Sequence, residues 1–278
     1  MHYFNFPLQE WTNNFVENWL IPVLGPTFDT ISNLLGIILD GFTDVLTWIP
    51  AELIVILIVF LAWRIKGMGF AVFSFIGLLY IGSVDLWKEA MQTLAIIINA
   101  TFFSIVVGVP LGIWSAKSDK ADKVIRPILD FMQTLPSFVY LIPTILLFGV
   151  GGVPAVIATF VFATPPAVRL TNLGIRQVSK EVVEAARAFG STGWQMLVKV
   201  QLPIAMPTIM AGINQTIMLA LSMAVIAAMI GSPGLGSIVM AGIAQVNVGK
   251  GLVGGLGIVV LAIILDRVTE GLGEKTKV

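Results

Sequence analysis

The sequence predicts an all-α integral membrane protein. Hydrophobic residues make up 57% of the 278 positions and charged residues only 12%, and the mean hydropathy of +0.94 lies well above that of soluble domains. Long uncharged runs, such as 131–168 and 202–249, follow one another along the chain. Because about 20 apolar residues suffice for a helix to cross the hydrocarbon core, these runs predict several crossings in one polytopic domain.

Residues 1–49 are predicted to form an external segment that precedes this domain. Its first residues are aromatic and polar, and Asp29, Asp40 and Asp44 recur among apolar residues between 27 and 49. Carboxylates at mixed helical spacing favour an amphipathic helix in the membrane interface over a spanning helix. The segment has no basic stretch at its start, unlike a cleaved signal peptide.

Residues 50–278 are expected to form the polytopic domain, with about seven membrane helices. GVGGVP at 149–154 divides an apolar run that is too long for one crossing. Gly108 and Gly112 in the third helix are spaced as a close packing face. A basic loop, KSDKADKVIR, follows that helix, and a glycine-rich link precedes the last one. The predicted helices occupy about 50–63, 67–83, 91–115, 131–148, 154–168, 204–230 and 251–265.

The distribution of basic residues predicts the orientation, because short cytoplasmic loops collect lysine and arginine. With seven crossings, the first entering from outside, fourteen of the sixteen basic residues fall on or near the inner side. Only Lys88 and Lys250 fall outside. The N-terminal segment is therefore predicted to lie outside, and the charged segment 179–203 and the C-terminus are predicted to lie in the cytoplasm.

The inventory of side chains disfavours several function classes. The one histidine is His2, and cysteine is absent, so neither a catalytic triad nor a metal site is expected and the chain does not resemble an enzyme. No G-x-x-x-x-G-K-[ST] phosphate loop occurs, so ATP-driven work would need another chain to bind the nucleotide. The five predicted helices between 91 and 265 hold no carboxylate, which disfavours an ion-coupled carrier. A net charge of zero disfavours nucleic acid as a partner.

The charged segment 179–203 stands between two uncharged runs and has the features of a short helix. Ser179 can cap its start, Glu181 lies near the positive end of the helix dipole and Arg187 lies in the last turn. Gly190 suits a left-handed helix end. These features fit a docking helix and an amphipathic loop helix resting on the bilayer equally well.

A more specific pattern lies within this segment. Glu184-Ala185-Ala186, then Gly190, and after nine intervening residues Val200-Gln201-Leu202-Pro203 resemble the EAA signature of permease subunits of bacterial ABC importers, with Val200 where the family has isoleucine. LDFMQTLPSFVYLIP at 129–143 and AGINQTIMLALSMAVIAAMIGSPGLG at 211–236 look like the glycine betaine, proline betaine and choline branch. The resemblance covers about 50–270 and implies the type I ABC importer transmembrane fold.

The resemblance also implies the partners and the cargo. The segment 179–203 would be a cytoplasmic coupling loop that seats in an ABC ATPase subunit, and ATP and Mg²⁺ would be bound there, with no cofactor in this chain. A second permease copy and an external solute-binding protein are implied, in contact with membrane lipid. The expected activity is osmoprotective uptake of glycine betaine or a related quaternary-ammonium solute across a bacterial plasma membrane. The residues implied in coupling are Glu184, Ala185, Ala186, Phe189, Gly190, Leu202 and Pro203.

Polar, aromatic and helix-breaking residues inside the predicted helices are candidates for the translocation path. Their structural alternative is interhelical hydrogen bonding or packing, and Arg169, near a helix end, is explained by snorkelling to the interface. A stand-alone channel or secondary carrier, a permease for a different small solute and a membrane scaffold for a sensor stay open as alternative functions. The path candidates are Gln133, Thr134, Pro136, Tyr140, Asn214, Gln215 and Ser222.

Overall fold

The computed structural model describes residues 7–274, and within them the chain is helical with no strand. Short 3₁₀ or π-helical turns extend or join some of the helices, at Val16–Leu20, Ser137–Tyr140, Met196–Gln201 and Ala227–Ile230. The α-helices are α1 (Leu8–Phe15), α2 (Ile21–Trp48), α3 (Ala51–Lys66), α4 (Met68–Ser83), α5 (Trp87–Lys117), α6 (Asp119–Thr134), α7 (Leu141–Phe148), α8 (Gly152–Arg176), α9 (Lys180–Ala188), α10 (Gly193–Gln195), α11 (Leu202–Ile226), α12 (Leu235–Ala244) and α13 (Val248–Glu274).

Several of these helices can cross a membrane. In the described part, five runs are long and apolar enough, namely 8–48, α5, α8, 193–230 and α13. α6 and the run 137–148 form a pair bent by 106°, which counts as a sixth crossing if the pair is one span. α3 and α4 have only 16 residues each. The predicted all-α membrane fold is confirmed, whereas the count of seven crossings stays a prediction.

The N-terminal segment is a nearly continuous helix whose second half packs on the bundle. Leu39 of α2 is buried in the same hydrophobic cluster as Ile96 of α5 and Val156 of α8. A Cβ atom placed at Gly152 would lie only 2.7 Å from the Leu39 side chain. The run 8–48 is itself long and apolar enough to span, so the placement of this helix in the membrane interface stays a prediction.

The centre of the bundle is the contact of α5 with α8, and the two helices run in parallel. A Cβ atom at Gly108 would lie 2.9 Å from the Cβ of Ala167, and one at Gly112 would lie 2.6 Å from the carbonyl oxygen of Val168. Only glycine permits such a close approach of two backbones. The close packing face predicted at Gly108 and Gly112 is therefore present. α11 packs on a neighbouring face of α8, where a Cβ at Gly212 would meet Leu170, and it also contacts α5.

Two predicted elements are wrong in detail around α6. KSDKADKVIR forms helix from Asp119 onward instead of a loop, because the Ser118 hydroxyl caps the helix by accepting from the Ala121 N–H at 3.3 Å. The fourth predicted helix, 131–148, is broken, since α6 ends at Thr134. Leu135 is extended, with ψ at 133°, as expected for a residue before proline.

The glycine-rich link before the last helix is also more ordered than predicted. It contains α12, where Gly242 packs against the backbone of Gly251 in α13. α12 starts where Leu235 donates its N–H to the Thr93 hydroxyl at 2.8 Å. α13 continues to Glu274, nine residues beyond its predicted end at 265.

Gly112→Ala is expected to destabilise the bundle, because the added methyl group would clash with Val168 and Thr171 across the α5–α8 contact. Overpacking of this kind costs about 1–3 kcal/mol, which thermal unfolding in detergent would show as a lower Tm. Gly255→Ala is the matched control, since nothing lies within 4 Å of a Cβ at that position in α13. Equal Tm values for the two variants would contradict the packing described here.

Candidate functional site

The helix α9 is defined at both ends by local hydrogen bonds. The Ser179 hydroxyl accepts from the Val182 N–H at 3.4 Å, at the first turn. At the other end Gly190 has φ of +79°, the Gly190 N–H donates to the Arg187 carbonyl at 2.9 Å and the Ser191 N–H donates to the Ala186 carbonyl at 3.1 Å. This pair of bonds is a Schellman motif, so the predicted cap and left-handed end are both present.

α9 is held against the bundle by the segment that follows it. α9 packs on the π-helical turn Met196–Gln201, in which Met196 and Leu197 are buried. Leu197 belongs to a hydrophobic cluster with Ile175 of α8 and Ile209 of α11. Residues 193–230 form one helical run. The second half of the charged segment 179–203 is therefore the start of the α11 run, and a displacement of α9 would reach α8 and α11 directly.

Two large aromatic side chains next to α9 are exposed. The Phe189 side chain is 91% exposed and that of Trp194 is 72% exposed, and α9 itself contains no buried residue. We call α9 together with Phe189 and Trp194 the tip surface. Burying aromatic rings is a large source of binding free energy, so exposed rings on a rigid helix end are suited to a protein partner.

The residues predicted to act in coupling are divided between this surface and its support. Ala186 and Leu202 are half-buried, and Leu202 packs on the cluster around Leu197. Pro203 is the second residue of α11, directly after the π-helical turn. The exposed members of the predicted set are Glu184, Ala185, Phe189, Gly190 and Pro203.

Four of the path candidates lie at the break between α6 and α7. Gln133, Thr134 and Pro136 are exposed, whereas Tyr140 is buried. The Tyr140 hydroxyl donates to the carbonyl of Met132 across the break, and its ring packs edge-on against Phe162, with centroids 5.9 Å apart. The break is therefore a fixed corner, in which Tyr140 links the segment before α7 to the end of α6.

The other three path candidates lie on α11 and differ in their surroundings. Asn214 donates to the Asp266 carboxylate at 3.1 Å and accepts from the Thr269 hydroxyl at 2.6 Å, so it links α11 to α13 and supports the structural alternative. Gln215 and Ser222 are exposed on one face of α11. The face they share is otherwise apolar. It includes Ala211 and Met218, and it continues to Met229 in the 3₁₀ turn after α11.

The structure brings only some of these candidates together. Tyr140 packs in one hydrophobic cluster with Met223 of α11 and Ala227 of the 3₁₀ turn that follows, so the corner at the end of α6 packs on the end of α11, where Met223 follows Ser222 in sequence. Gln215 lies seven residues earlier, about 10 Å along the helix at 1.5 Å per residue. It lines a different cleft of about 490 Å³, with Asn214 and Glu270.

A polar cluster missed by sequence reasoning lies where α5, α6 and α8 meet. Arg169, expected to snorkel, instead forms an ion pair with Asp130 of α6. Asp122 accepts hydrogen bonds from the Ser115 hydroxyl at 2.7 Å and from the Asn172 amide at 2.8 Å. The spacing of the acidic residues of α6 is the sequence signal that could have predicted this cluster. It goes unused because that stretch is predicted to be a loop.

Comparisons with known proteins identify the family of this chain. Residues 108–278 match the family described as binding-protein-dependent transport system inner membrane component. The chain belongs to this family. The permease is 49% identical over 271 residues to the glycine betaine/proline betaine transport system permease protein ProW of Escherichia coli (strain K12), covering 98% of this chain and 76% of that protein. The family predicted from the EAA spacing and the branch predicted from 129–143 and 211–236 are confirmed.

A second relative matches nearly the whole permease, and a solved structure has a similar fold. The permease is 49% identical over 275 residues to the glycine betaine/carnitine transport permease protein GbuB of Listeria monocytogenes, covering 98% of this chain and 97% of that protein. An inward-facing structure of the MetNI methionine ABC transporter contains a chain with a TM-score of 0.63 and 21% identity, covering 69% of the permease and 95% of that chain. This last similarity shows the fold alone.

Gly190→Ala is expected to loosen the end of α9, because φ of +79° is strained for alanine although the space around the residue is open. A left-handed conformation costs a non-glycine residue about 1–2 kcal/mol. Hydrogen exchange of the amides at 186–191 would speed up by about tenfold for such a cost. Gly193→Ala is the control, since it has open space and no positive φ. Unchanged exchange at Gly190→Ala would mean that the Schellman motif does not determine this end.

Proposed function

We propose that this permease is the transmembrane subunit of an ATP-driven importer that carries glycine betaine, or a related quaternary-ammonium solute, into a bacterial cell as an osmoprotectant. The observation that carries the proposal is the 49% identity over 98% of the chain to permeases named for glycine betaine transport. The second solute differs between those names, proline betaine in one and carnitine in the other. The shared chemistry is a quaternary ammonium group with a carboxylate.

The partner ATPase binds the tip surface in this proposal. The exposed rings of Phe189 and Trp194 beside α9 support it, since they offer an apolar contact on a helix that is fixed at both ends. ATP and Mg²⁺ are bound by that partner, and this chain contributes no cofactor. Closure of two ATPase subunits pushes α9, and the packing of Leu197 on Ile175 and Ile209 passes the displacement to α8 and α11.

The solute path lies between two copies of the chain in this proposal. Gln215 and Ser222 face outward from α11. The Ser222 hydroxyl donates to the Met218 carbonyl at 3.1 Å, but a Gln215 amide facing hydrocarbon is costly, which favours a water-filled or protein-covered face over lipid. The corner with Gln133, Thr134 and Tyr140 packs beside the same helix. Tyr140 is buried, but the exposed rings of Phe131 and Phe138 at this corner are suited to a quaternary ammonium group. An external solute-binding protein supplies most of the affinity and delivers the solute from outside.

Phe189→Ala is expected to weaken the ATPase contact, because loss of one buried aromatic ring costs about 1.5–3 kcal/mol, or tenfold or more in affinity. The measurement is uptake of labelled glycine betaine into proteoliposomes that hold the permease, the ATPase and the binding protein, alongside co-purification of the ATPase. Phe102→Ala, which removes a 59% exposed ring on α5, should change neither.

The same preparation tests the proposed function itself. No ATP-dependent uptake by the complete assembly would reject it, and uptake that persists without the ATPase would favour a stand-alone carrier. Competition by choline, carnitine and proline betaine would rank the solutes.

The proposed orientation places the N-terminal segment outside, and the tip surface and C-terminus in the cytoplasm of a bacterial cell. The chain has no cysteine, so single cysteines can be labelled specifically. An impermeant maleimide applied to intact cells should label Lys250→Cys and leave Trp194→Cys unlabelled until the cells are opened, because the membrane separates the two positions. Labelling of Trp194→Cys in intact cells would overturn the orientation.

A further inference from the structure

The permease contains a polar junction that neither the EAA signature nor the path candidates include. Asp122 has a side chain only 16% exposed, and its two oxygens accept from three donors: the Ser115 hydroxyl at 2.7 Å, the Asn172 amide at 2.8 Å and Arg126 at 2.8 Å. The donors come from α5, α8 and α6 itself. One carboxylate therefore joins three helices.

Arg176, in the last turn of α8, completes the junction. Its guanidinium donates to the Ser115 carbonyl at 2.9 Å and lies 2.8 Å from the Asp119 carboxylate. Farther along, Arg169 pairs with Asp130. The order of the pairs, early α6 with late α8 and late α6 with earlier α8, shows that the two helices run antiparallel. We call the contacts of Ser115, Asp122, Asn172 and Arg176 the Asp122 junction.

Apolar packing contributes little to the hold on α6. Of its sixteen residues only Ala121 and Leu129 are buried, and a cleft of about 500 Å³ between α6 and α8 is lined by Asp122, Asn172 and Arg176 among others. The charged and hydrogen-bonded pairs cross this cleft. Because a mostly buried carboxylate that loses its donors is costly, the junction strongly favours one position of α6.

The junction lies between the tip surface and the corner at the end of α6. Arg176 ends α8 four residues before Lys180, where α9 begins. From Asp122 to Thr134, α6 continues as one helix with Pro127 inside it, about 18 Å at 1.5 Å per residue. There the Tyr140 hydroxyl ties the corner back to Met132. A continuous series of contacts, through the end of α8, the Asp122 junction and α6, thus joins α9 to the corner.

We propose that Asp122 is a positioning residue that makes α6 move with α8 as one body, so that a displacement of α9 reaches the corner that holds Gln133, Thr134 and Tyr140. The proposal rests on the function proposed above, in which α9 receives the movement of an ATPase. Asp122 does not contact the solute. Its role is to keep the amount of solute moved per ATP hydrolysed from falling.

The first test measures the position of α6 and does not depend on which solute is carried. Spin labels at Lys123→Cys and Gln177→Cys, both exposed, report the distance from α6 to the end of α8 in the full chain in nanodiscs. We expect a narrow distribution that stays the same when the ATPase and ATP are added, and a broad, shifted distribution in Asp122→Ala. A narrow distribution in Asp122→Ala, or a change of distance with ATP in the unsubstituted junction, would overturn the proposal.

The second test measures coupling in proteoliposomes with the ATPase and the binding protein. Asp122→Ala should hydrolyse ATP but move about tenfold less glycine betaine per ATP. Asp122→Asn keeps an oxygen that can accept from both Ser115 and Asn172, and it should recover most of that ratio. Lys120→Gln, an exposed charge on the same helix, should match the unsubstituted permease.

The two proposals fail in different ways. If Asp122→Ala moves as much glycine betaine per ATP as the unsubstituted permease, the positioning role is rejected, whereas the proposed uptake function is not affected. Absence of uptake by the unsubstituted assembly would reject the proposed function, and the spin-label distances would still decide whether Asp122 holds α6 to α8.

Discussion

The close approach of α5 to α8 is the contact on which the rest of the permease depends. Gly108 and Gly112 let the two backbones come so near that a Cβ at Gly112 would lie 2.6 Å from a carbonyl oxygen. This approach brings Ser115, one turn after Gly112, within reach of Asn172 and Arg176. Gly174 and Gly212 then admit α11 against α8. The polar junction and the seat of α9 both follow from the same three-helix core.

The permease combines this rigid core with elements held by few contacts. α9 is capped at both ends but has no buried residue, and α6 has only two. α9 is positioned by its packing on the turn that starts the α11 run, and α6 by charged pairs. An importer that converts movement of one protein into movement of another needs stiff parts that shift as units, since packed interfaces switch between discrete arrangements and do not deform continuously.

Much of the fold and of the tip surface was predictable from the sequence, and the reason is that the signals are local. Hydropathy over about 20 residues identified the long apolar helices, and the residues from Ser179 to Gly190 determined a cap and an end that the structure contains. The errors came where two local signals compete. The charges of KSDKADKVIR suggested a loop although Ser118 caps a helix there, and Pro136 breaks a run that hydropathy alone would continue.

The sequence by itself determined the membrane class, the family and branch, and the two ends of α9, because composition, spacing and backbone preferences act within a few turns of chain. Only the tertiary structure decided that Asn214 contacts Asp266 and Thr269, and that Asp122 meets Asn172, fifty residues away in sequence. Such pairs depend on how each helix is rotated and how deeply glycine lets its neighbour approach. No local pattern records either quantity, so the polar junction became visible only once the helices were packed.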